Sequence, residues 1–324
     1  MSDILYEIDL SEINLSDIDL TDERYKISVS DHDIIFLAQS IKEAGLTYPP
    51  IVRPAGKKFI IISGFNRVKA QIYNKKTKIV AYQTKPDASD YQCLLKSITA
   101  LAFQRPLTHR ELIICTRRLS SFLDKEQIAE KSPAIFNTKL NIRFVEDLLT
   151  IGALPDKALE LIHLGNLSLK SAQRISSFEK ATMEIFLNIF SKIKASNSKQ
   201  FEIIQHIIEI TARDAVNPTD FFKTKAIREI LLDENKEPGL KTTHLRAYLF
   251  ERRFPAIFQT HQLVREKTAA LKLGGNIKLL PPENFEGQYY SISFKAKNYD
   301  EFKTHSHHLA AALESKELKE IFNL

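Results

Sequence analysis

The hydrophobic pattern divides the chain into a mixed beginning, a helical middle and a mixed end. Apolar side chains at helical spacing predict a first helix that starts after Ser30 and ends at Gly45. Short apolar runs bounded by turn residues predict strands over 49–53, 59–62 and 79–82, with a helix over 65–73. From about residue 91 to 193, stripes with spacings of three and four predict one helix after another.

The last third of the chain combines helices with a short strand pair. A polar stretch without periodicity at 195–199 predicts a linker. Helices are predicted over 201–211, 220–232 and 299–313, and a long one over 243–273 contains Pro255, which favours a kink. Alternating residues predict strands over 277–280 and 289–294. We therefore expect an α+β protein with three domains at 1–104, 105–195 and 196–324: a small mixed domain, an all-helical domain and an α+β module.

Composition narrows the class of protein. A length of 324 residues allows two or three domains, each with its own core. No apolar run approaches the roughly 18 residues that cross a bilayer, so no membrane partner is expected. Two cysteines provide neither a disulfide framework nor a four-ligand zinc site. The expected location is the reducing cytoplasm.

The net charge of +6 is unevenly distributed. Residues 1–23 contain eight acidic side chains and no Lys or Arg, whereas residues 24–324 carry 46 basic and 32 acidic ones. A basic body suits a polyanionic partner such as DNA. The acidic segment is expected to fold back on that body and limit access of DNA.

The junction between the second strand and its following helix is the first candidate site. A helix N-terminus presents unpaired N–H groups and partial positive charge, and therefore attracts anions. Glycine allows a close approach of the backbone there, and basic side chains add charge that pairs with phosphate. The candidates from this junction are Ser63, Gly64, Phe65, Asn66, Arg67 and Lys69.

Several segments then follow in a characteristic order: a helix ending at Gly45, the strand Pro50-Ile51-Val52-Arg53, the turn from Ser63 to Ala70, and Phe103-Gln104-Arg105. A Leu-Pro stop at 154–155 and Gly-Asn-Leu-Ser at 165–168 come later. This order resembles the ParB-like family of chromosome and plasmid partition proteins, whose N-terminal domain is shared with sulfiredoxin. The resemblance covers about residues 5–180. Because no cysteine lies between Gly64 and Arg67, a sulfiredoxin activity is not expected.

The resemblance implies that the N-terminal domain binds CTP, which closes a protein clamp on DNA, together with Mg²⁺. Gly64 and Arg67 match the phosphate-contacting turn of the family, and Lys69 replaces its last arginine. The resemblance extends the nucleotide site to Gln104 and Arg105, on a helix. It also implies a ParA-type ATPase partner. A homodimer is expected from the architecture of the last module, 240–324, because an isolated two-stranded sheet is marginal without a partner surface.

One departure from the family concerns hydrolysis. Leu101 and Ala102 stand where the family has Glu and Asn, which handle metal and triphosphate. A leucine side chain can neither accept a proton nor hold a cation through oxygen. We therefore nominate no catalytic residue and no metal ligand, and expect at most a weak nucleoside triphosphatase activity.

A helix-turn-helix is predicted with its two helices over 127–131 and 142–151. In such a motif the second helix enters the major groove by its N-terminal residues. Its turn, 132–140, is longer than usual, Glu146 and Asp147 add negative charge, and residues 106–178 carry a net charge of only +2. The candidate DNA-binding residues are Lys139, Asn141, Arg143 and Arg110.

Three functions remain open. The leading one is a nucleoid-associated, ParB-like DNA-binding protein whose C-terminal module mediates self-association. The second is a non-catalytic interaction or transcription-regulatory protein on a degenerate ParB scaffold. The third is a nucleotide hydrolase or nuclease, for which Asp87 and Asp90 are the carboxylates to nominate. A histidine cluster at 305, 307 and 308 is expected to be a solvated helix surface rather than a metal site.

Overall fold

Two compact units, Met1–Ser191 and Lys192–Leu324, make up the protein in a computed structural model. The structure describes residues 9–28, 34–273, 276–282 and 289–323. A five-stranded sheet lies in the first unit and a separate two-stranded sheet in the second. Helices form most of both units, so the α+β class is confirmed. The proposed boundary between 104 and 105 stays a prediction.

The sheet of the first unit has the strand order β1-β5-β3-β4-β2. Antiparallel pairs join β1 to β5 and β3 to β4, whereas β2–β4 and β3–β5 are parallel. The predicted strands correspond to β3, β4 and β5. The strand bounds are β1 Asp9–Asn14, β2 Ile18–Asp19, β3 Ile51–Ala55, β4 Lys58–Ser63 and β5 Lys78–Gln83.

The acidic N-terminal segment therefore forms both edge strands of this sheet, which corrects the expectation that it folds back on a basic surface. Ile13, Leu15 and Ile18 lie in the core with Val52 and Ile61. Deleting the segment would remove these buried side chains along with its charge, so deletion does not isolate an electrostatic effect. Residues 1–8 lie outside the described part of the chain.

Nine helices are described in the first unit, and several begin at the capping residues visible in the sequence. Side chains of Ser89, Thr108 and Asp124 accept a backbone hydrogen bond in full capping boxes. The start predicted after Ser30 lies outside the described residues. The helix bounds are α1 Ile34–Ala44, α2 Phe65–Tyr73, α3 Asp90–Ala102, α4 His109–Leu119, α5 Lys125–Phe136, α6 Ile142–Gly152, α7 Asp156–His163, α8 Leu169–Ser176 and α9 Lys180–Phe190.

The second unit contains a helical part followed by the strand pair β6 and β7. The strands are antiparallel, with Ile277 opposite Phe294. Their core includes Val264, Leu279 and Ile321. The bounds are α10 Asn197–Arg213, α11 Pro218–Phe222, α12 Lys225–Leu232, α13 Pro238–Arg253, α14 Pro255–Ala270, β6 Ile277–Leu280, β7 Ser291–Phe294, α15 Tyr299–Leu313 and α16 Lys316–Phe322.

Several predictions for this unit were wrong in detail. The linker predicted at 195–199 is shorter, because Ser196 is the N-cap of α10. The long helix is two helices, since the backbone leaves helical geometry at Phe254 and Pro255 starts α14. His305 is buried beside the Phe294 ring, 5.4 Å between centroids, so it is no part of a solvated surface. Within the described ranges, no helix has the length and apolar character needed to span a membrane.

Candidate functional site

A cavity of about 860 Å³ in the first unit contains most of the predicted nucleotide-binding residues. Its lining comes from α1, the start of α2, the end of α3 and the segment 25–28. Lys69 is not among the lining residues, because it lies further along α2. The predicted residues that the cavity does bring together are Ser63, Gly64, Phe65, Asn66, Arg67, Gln104 and Arg105.

Gly64 is the N-cap of α2, and its position in the fold leaves no room for a side chain. Its φ of 94° lies in the left-handed region. A Cβ at this position would lie 2.9 Å from the Pro50 Cβ and 3.0 Å from its Cα. The start of α2 can therefore approach the strand β3 only with glycine here.

Arg67 lines the cavity from the first turn of α2. Its guanidinium donates hydrogen bonds to the carbonyl oxygens of Tyr48 and Pro49, the latter at 3.1 Å. Burial lowers the pKa of Arg67, although a guanidinium remains protonated in proteins. No ion pair joins it to a carboxylate within the described ranges. The side chain is therefore a positioned, partly buried cation whose charge has no acidic partner there.

Arg105 lines the same cavity but is bound to Glu111. Two parallel hydrogen bonds of 2.8 and 2.6 Å join the guanidinium to the carboxylate, which is only 2% exposed. Burial alone raises the pKa of Glu111, and the hydrogen bonds from Arg105 and Thr108 bring it below its ordinary value. Gln104 and Arg105 lie in the turn after α3, so the helix predicted for them was wrong. Arg105 anchors the turn between α3 and α4.

The cavity has few side chains that could bind a divalent cation. Leu101 lines it, whereas Ala102 is buried. None of the described lining residues is Asp or Glu, and Mg²⁺ in proteins is normally held through carboxylates. Among all residues that the structure describes, no cluster of three His, Cys, Asp or Glu side chains is arranged to hold a metal ion. The donor set suits an anion and does not fit a protein-held Mg²⁺.

Asp90, one of the carboxylates nominated for metal chemistry, has a structural role instead. Its Oδ1 accepts hydrogen bonds from the Tyr25 hydroxyl at 2.6 Å and from Arg53 at 2.8 Å. These two bonds lower the pKa of Asp90. Neither Asp87 nor Asp90 lines the cavity.

The segment 25–28 was missed as part of the site. Tyr25, Lys26, Ile27 and Ser28 all line the cavity. They precede a stretch outside the described residues and have no motif of their own in the sequence. Only the folding of this segment against α3 brings Lys26 to the same cavity as Arg67.

The two helices for which a helix-turn-helix was predicted, α5 and α6, are joined by a shorter connection than the sequence indicated. Helix α5 continues to Phe136 through Pro133, whose ring removes a donor to the Ala129 carbonyl. The Ser132 hydroxyl donates to that carbonyl at 2.7 Å and accepts from the Leu140 N–H at 2.8 Å. The connection between α5 and α6 is therefore 137–141, and the prediction of a turn at 132–140 was wrong.

Three of the four predicted DNA-binding residues lie at the N-terminal end of α6. Asn141 is its N-cap and accepts the Phe144 N–H at 2.8 Å. Lys139 and Arg143 are exposed beside it. Arg110 lies on α4 and is half-buried, and its Nε has no hydrogen-bond partner within the described structure.

The two acidic residues on α6 are hydrogen-bonded within the fold. Glu146 forms an ion pair with Lys125, and Asp147 accepts a hydrogen bond from Gln173. The Lys125 partner offsets the negative charge of Glu146. Glu146 and Asp147 therefore oppose a phosphate backbone less than the sequence suggested.

Comparison with known proteins gives one family match. Residues 4–96 match the family model of the ParB N-terminal domain. A search of curated proteins found no match to the chain.

Several solved structures of ParB proteins resemble the chain. One is the C-terminally truncated chromosome-partitioning protein ParB from Caulobacter crescentus complexed with CTP-γ-S, at 19% identity over 55% of this chain and 98% of that chain, with a TM-score of 0.27. The same protein complexed to the centromeric parS site gives 17% identity, coverages of 55% and 91%, and a TM-score of 0.35. A Pnob8-like ParB-N domain gives 14% identity, coverages of 76% and 98%, and a TM-score of 0.39. The assignment of the N-terminal domain rests on the family match.

Proposed function

We propose that this chain, which carries a ParB N-terminal domain over residues 4–96, is a ParB-like DNA-binding protein of chromosome or plasmid partition. In this proposal a nucleotide bound at the turn 64–67 regulates the engagement of DNA. The observation that carries the proposal is that the start of α2 and the turn after α3, which contains Gln104, line the same cavity.

The nucleotide is expected to bind through its phosphates. The first turn of α2 supplies backbone N–H groups and the positive end of the helix dipole. Arg67 supplies a cation whose orientation is set by the Tyr48 and Pro49 carbonyls. CTP is the nucleotide to test first, because the resemblance to the ParB-like family implies it.

The proposal treats the cavity as a binding site rather than as a hydrolase. Hydrolysis of a nucleoside triphosphate needs a group that holds the metal or orients the attacking water. Leu101 supplies neither group, and the described lining contains no carboxylate. Mg²⁺ would therefore be held by phosphate oxygens and water rather than by these side chains.

The proposed DNA contacts lie at the start of α6. Lys139 and Arg143 are exposed cations that suit phosphate oxygens, and Asn141 lies at the N-terminal end that enters the major groove in helix-turn-helix proteins. The proposal also includes Arg110 as a further contact. General affinity for the phosphate backbone is the minimum that this arrangement predicts.

The remaining parts of the proposal concern assembly and location. The C-terminal α+β module, 196–324, is proposed to mediate homodimerisation, because its two-stranded sheet is marginal without a further packing surface. A ParA-type ATPase partner and a cytoplasmic, nucleoid-associated location follow from the partition role. Measurement of molecular mass in solution tests the dimer directly.

A second candidate is a regulatory or interaction protein that keeps the scaffold without nucleotide control. The observations that favour it are the apolar Leu101 in the lining and the commitment of Arg105 to Glu111. In this case the α5–α6 surface contacts a partner without any nucleotide dependence.

Calorimetric titration separates the two candidates. The full chain is titrated with CTP, ATP, GTP and UTP, and then again in the presence of duplex DNA. Arg67→Ala is the test variant and Lys69→Ala the matched control, since Lys69 lies on α2 but does not line the cavity. We expect CTP binding that Arg67→Ala abolishes and Lys69→Ala retains. No heat with any nucleotide contradicts nucleotide regulation and favours the second candidate.

A further inference from the structure

The wall of the cavity formed by 25–28 is fixed at Tyr25. This side chain is 3% exposed, and its hydroxyl donates to Asp90 at 2.6 Å. The Arg53 guanidinium binds the same carboxylate oxygen and lies 5.5 Å from the centre of the Tyr25 ring. The Ser97 hydroxyl donates to the Tyr25 carbonyl at 2.7 Å. Because side chain and backbone are both anchored, the next residue has a defined position at the cavity.

That next residue is Lys26, which lines the cavity with a side chain that is 24% exposed. Its Nζ lies 2.7 Å from Glu23 Oε1. Glu23 is 54% exposed and is not among the lining residues. An ion pair of this kind in contact with solvent contributes about 0–1 kcal/mol. An anion inside the cavity can therefore replace Glu23 as the partner of Lys26 at little energetic loss.

The other lining cations differ from Lys26 in this respect. Arg105 is bound to Glu111 by two short bonds, and Glu111 is 2% exposed. Breaking that pair would leave a buried carboxylate without its cation, which is strongly unfavourable. Arg67 is oriented by the Tyr48 and Pro49 carbonyls. Among the described lining residues, Lys26 is the cation whose acidic partner is the most readily exchanged.

We propose that Lys26 is a second anion-binding residue of this cavity, and that it exchanges Glu23 for a phosphate oxygen when a polyphosphate binds. Glu23 then acts as a competitor that lowers the affinity for anions. The inference rests on the proposed function only for the identity of the natural ligand. Inorganic tripolyphosphate carries the same anionic chemistry without a base or sugar, and therefore tests the cation separately.

The experiment measures binding of inorganic tripolyphosphate and of CTP to the full chain by calorimetry. Lys26→Ala is expected to weaken binding of both on the order of tenfold, because one charge-assisted hydrogen bond is lost. Lys26→Arg should stay within about threefold of the natural chain, and Glu23→Gln should strengthen binding about two- to threefold. Lys57→Ala is the matched control, since Lys57 is exposed and outside the lining.

A purely structural role of Lys26 is distinguished by two further readouts. The free energy of unfolding of Lys26→Ala should match that of the natural chain, and the salt dependence of its tripolyphosphate binding should be shallower. Unchanged affinity in Lys26→Ala, or weaker binding in Glu23→Gln, overturns the inference. Absence of tripolyphosphate binding to the natural chain overturns it as well. Lysine-dependent binding of tripolyphosphate without any binding of CTP leaves the inference in place and contradicts nucleotide regulation.

Discussion

The cavity and the start of α6 position their candidate binding residues in different ways. In the cavity, Gly64 packs against Pro50, Arg67 binds backbone carbonyls, and Arg105 is paired with a buried carboxylate. At the start of α6, Lys139 and Arg143 are exposed. In the cavity, the candidate binding residues therefore also hold the fold together. At the start of α6, the fold does not depend on the side chains of Lys139 and Arg143.

This difference determines how substitutions should be interpreted. A change in the cavity alters stability and binding together, so loss of binding alone is ambiguous there. A change at Lys139 or Arg143 leaves the packing intact, because both side chains are exposed, so its effect on DNA binding is direct. Substitutions in both regions test this contrast.

The largest effect is expected for Gly64→Ala. An alanine at a φ of 94° costs about 1–2 kcal/mol, and its Cβ at 2.9 Å from Pro50 forces a further shift of the backbone. We expect a loss of about 2–4 kcal/mol in the free energy of unfolding, measured by chemical denaturation. Gly56→Ala is the control, because its φ is +63° but nothing lies within 4 Å of the added Cβ. Equal losses in the two variants would show that the contact with Pro50 is unimportant.

Glu111→Gln is expected to have the next largest effect, with a dependence on pH. The variant should lose about 1–3 kcal/mol of stability at pH 7, because Arg105 keeps its charge without a carboxylate. The pKa of Glu111 is lower in the folded chain than its ordinary value of 4.5. Its contribution is therefore complete above that value and is lost as the pH falls through the folded pKa. Denaturation curves of both proteins between pH 7 and pH 3 measure this.

The control for this prediction is Glu43→Gln, at an exposed position near the end of α1. Its stability should stay within about 0.5 kcal/mol of the natural chain at pH 7. If the difference between the natural chain and Glu111→Gln persisted at pH 3, the ion pair would not be its source.

The double variant Lys139→Ala, Arg143→Ala tests the exposed region. We expect its affinity for duplex DNA to fall on the order of tenfold and the slope of log K against log salt to decrease by about two. Its free energy of unfolding should change by less than about 0.5 kcal/mol. Lys180→Ala, at an exposed position at the start of α9, is the control for a general loss of charge. Unchanged DNA binding in the double variant would place the DNA-binding surface elsewhere.

The smallest effect is expected for Glu146→Gln. Because Lys125 already offsets the charge of Glu146, its removal should raise DNA affinity by less than about threefold. Fluorescence anisotropy with a labelled duplex at low and moderate salt measures the change. A tenfold increase would mean that Glu146 repels DNA despite its ion pair.

The parts of the fold that sequence reasoning predicted are those with strong local signals. The strands β3, β4 and β5 and the helix α2 were predicted from apolar runs, turn residues and Gly64. The strands β1 and β2 were missed, because acidic residues obscure the few apolar positions that reach the core. Their pairing partners lie far away in sequence, so no local pattern signals them.

For the candidate site, the limits come from interactions between distant side chains. The sequence motif contained Arg105 but not its pairing with Glu111, which depends on the turn between α3 and α4. Likewise, Ser132 joins α5 to the connection before α6 through hydrogen bonds to Ala129 and Leu140 that the composition of this connection does not reveal. Lys26 had no motif at all.

The sequence by itself determined the strands β3, β4 and β5, most helices of the first unit and the glycine at the turn before α2. These properties depend on hydrophobic periodicity, capping and backbone conformation, which act over a few residues. Only the tertiary structure decided which cations of the cavity are already paired, and it brought Lys26 to the same cavity as Arg67. Ion pairing and burial depend on which segments pack together, and that packing joins residues 25–28 to strands and helices much later in the chain.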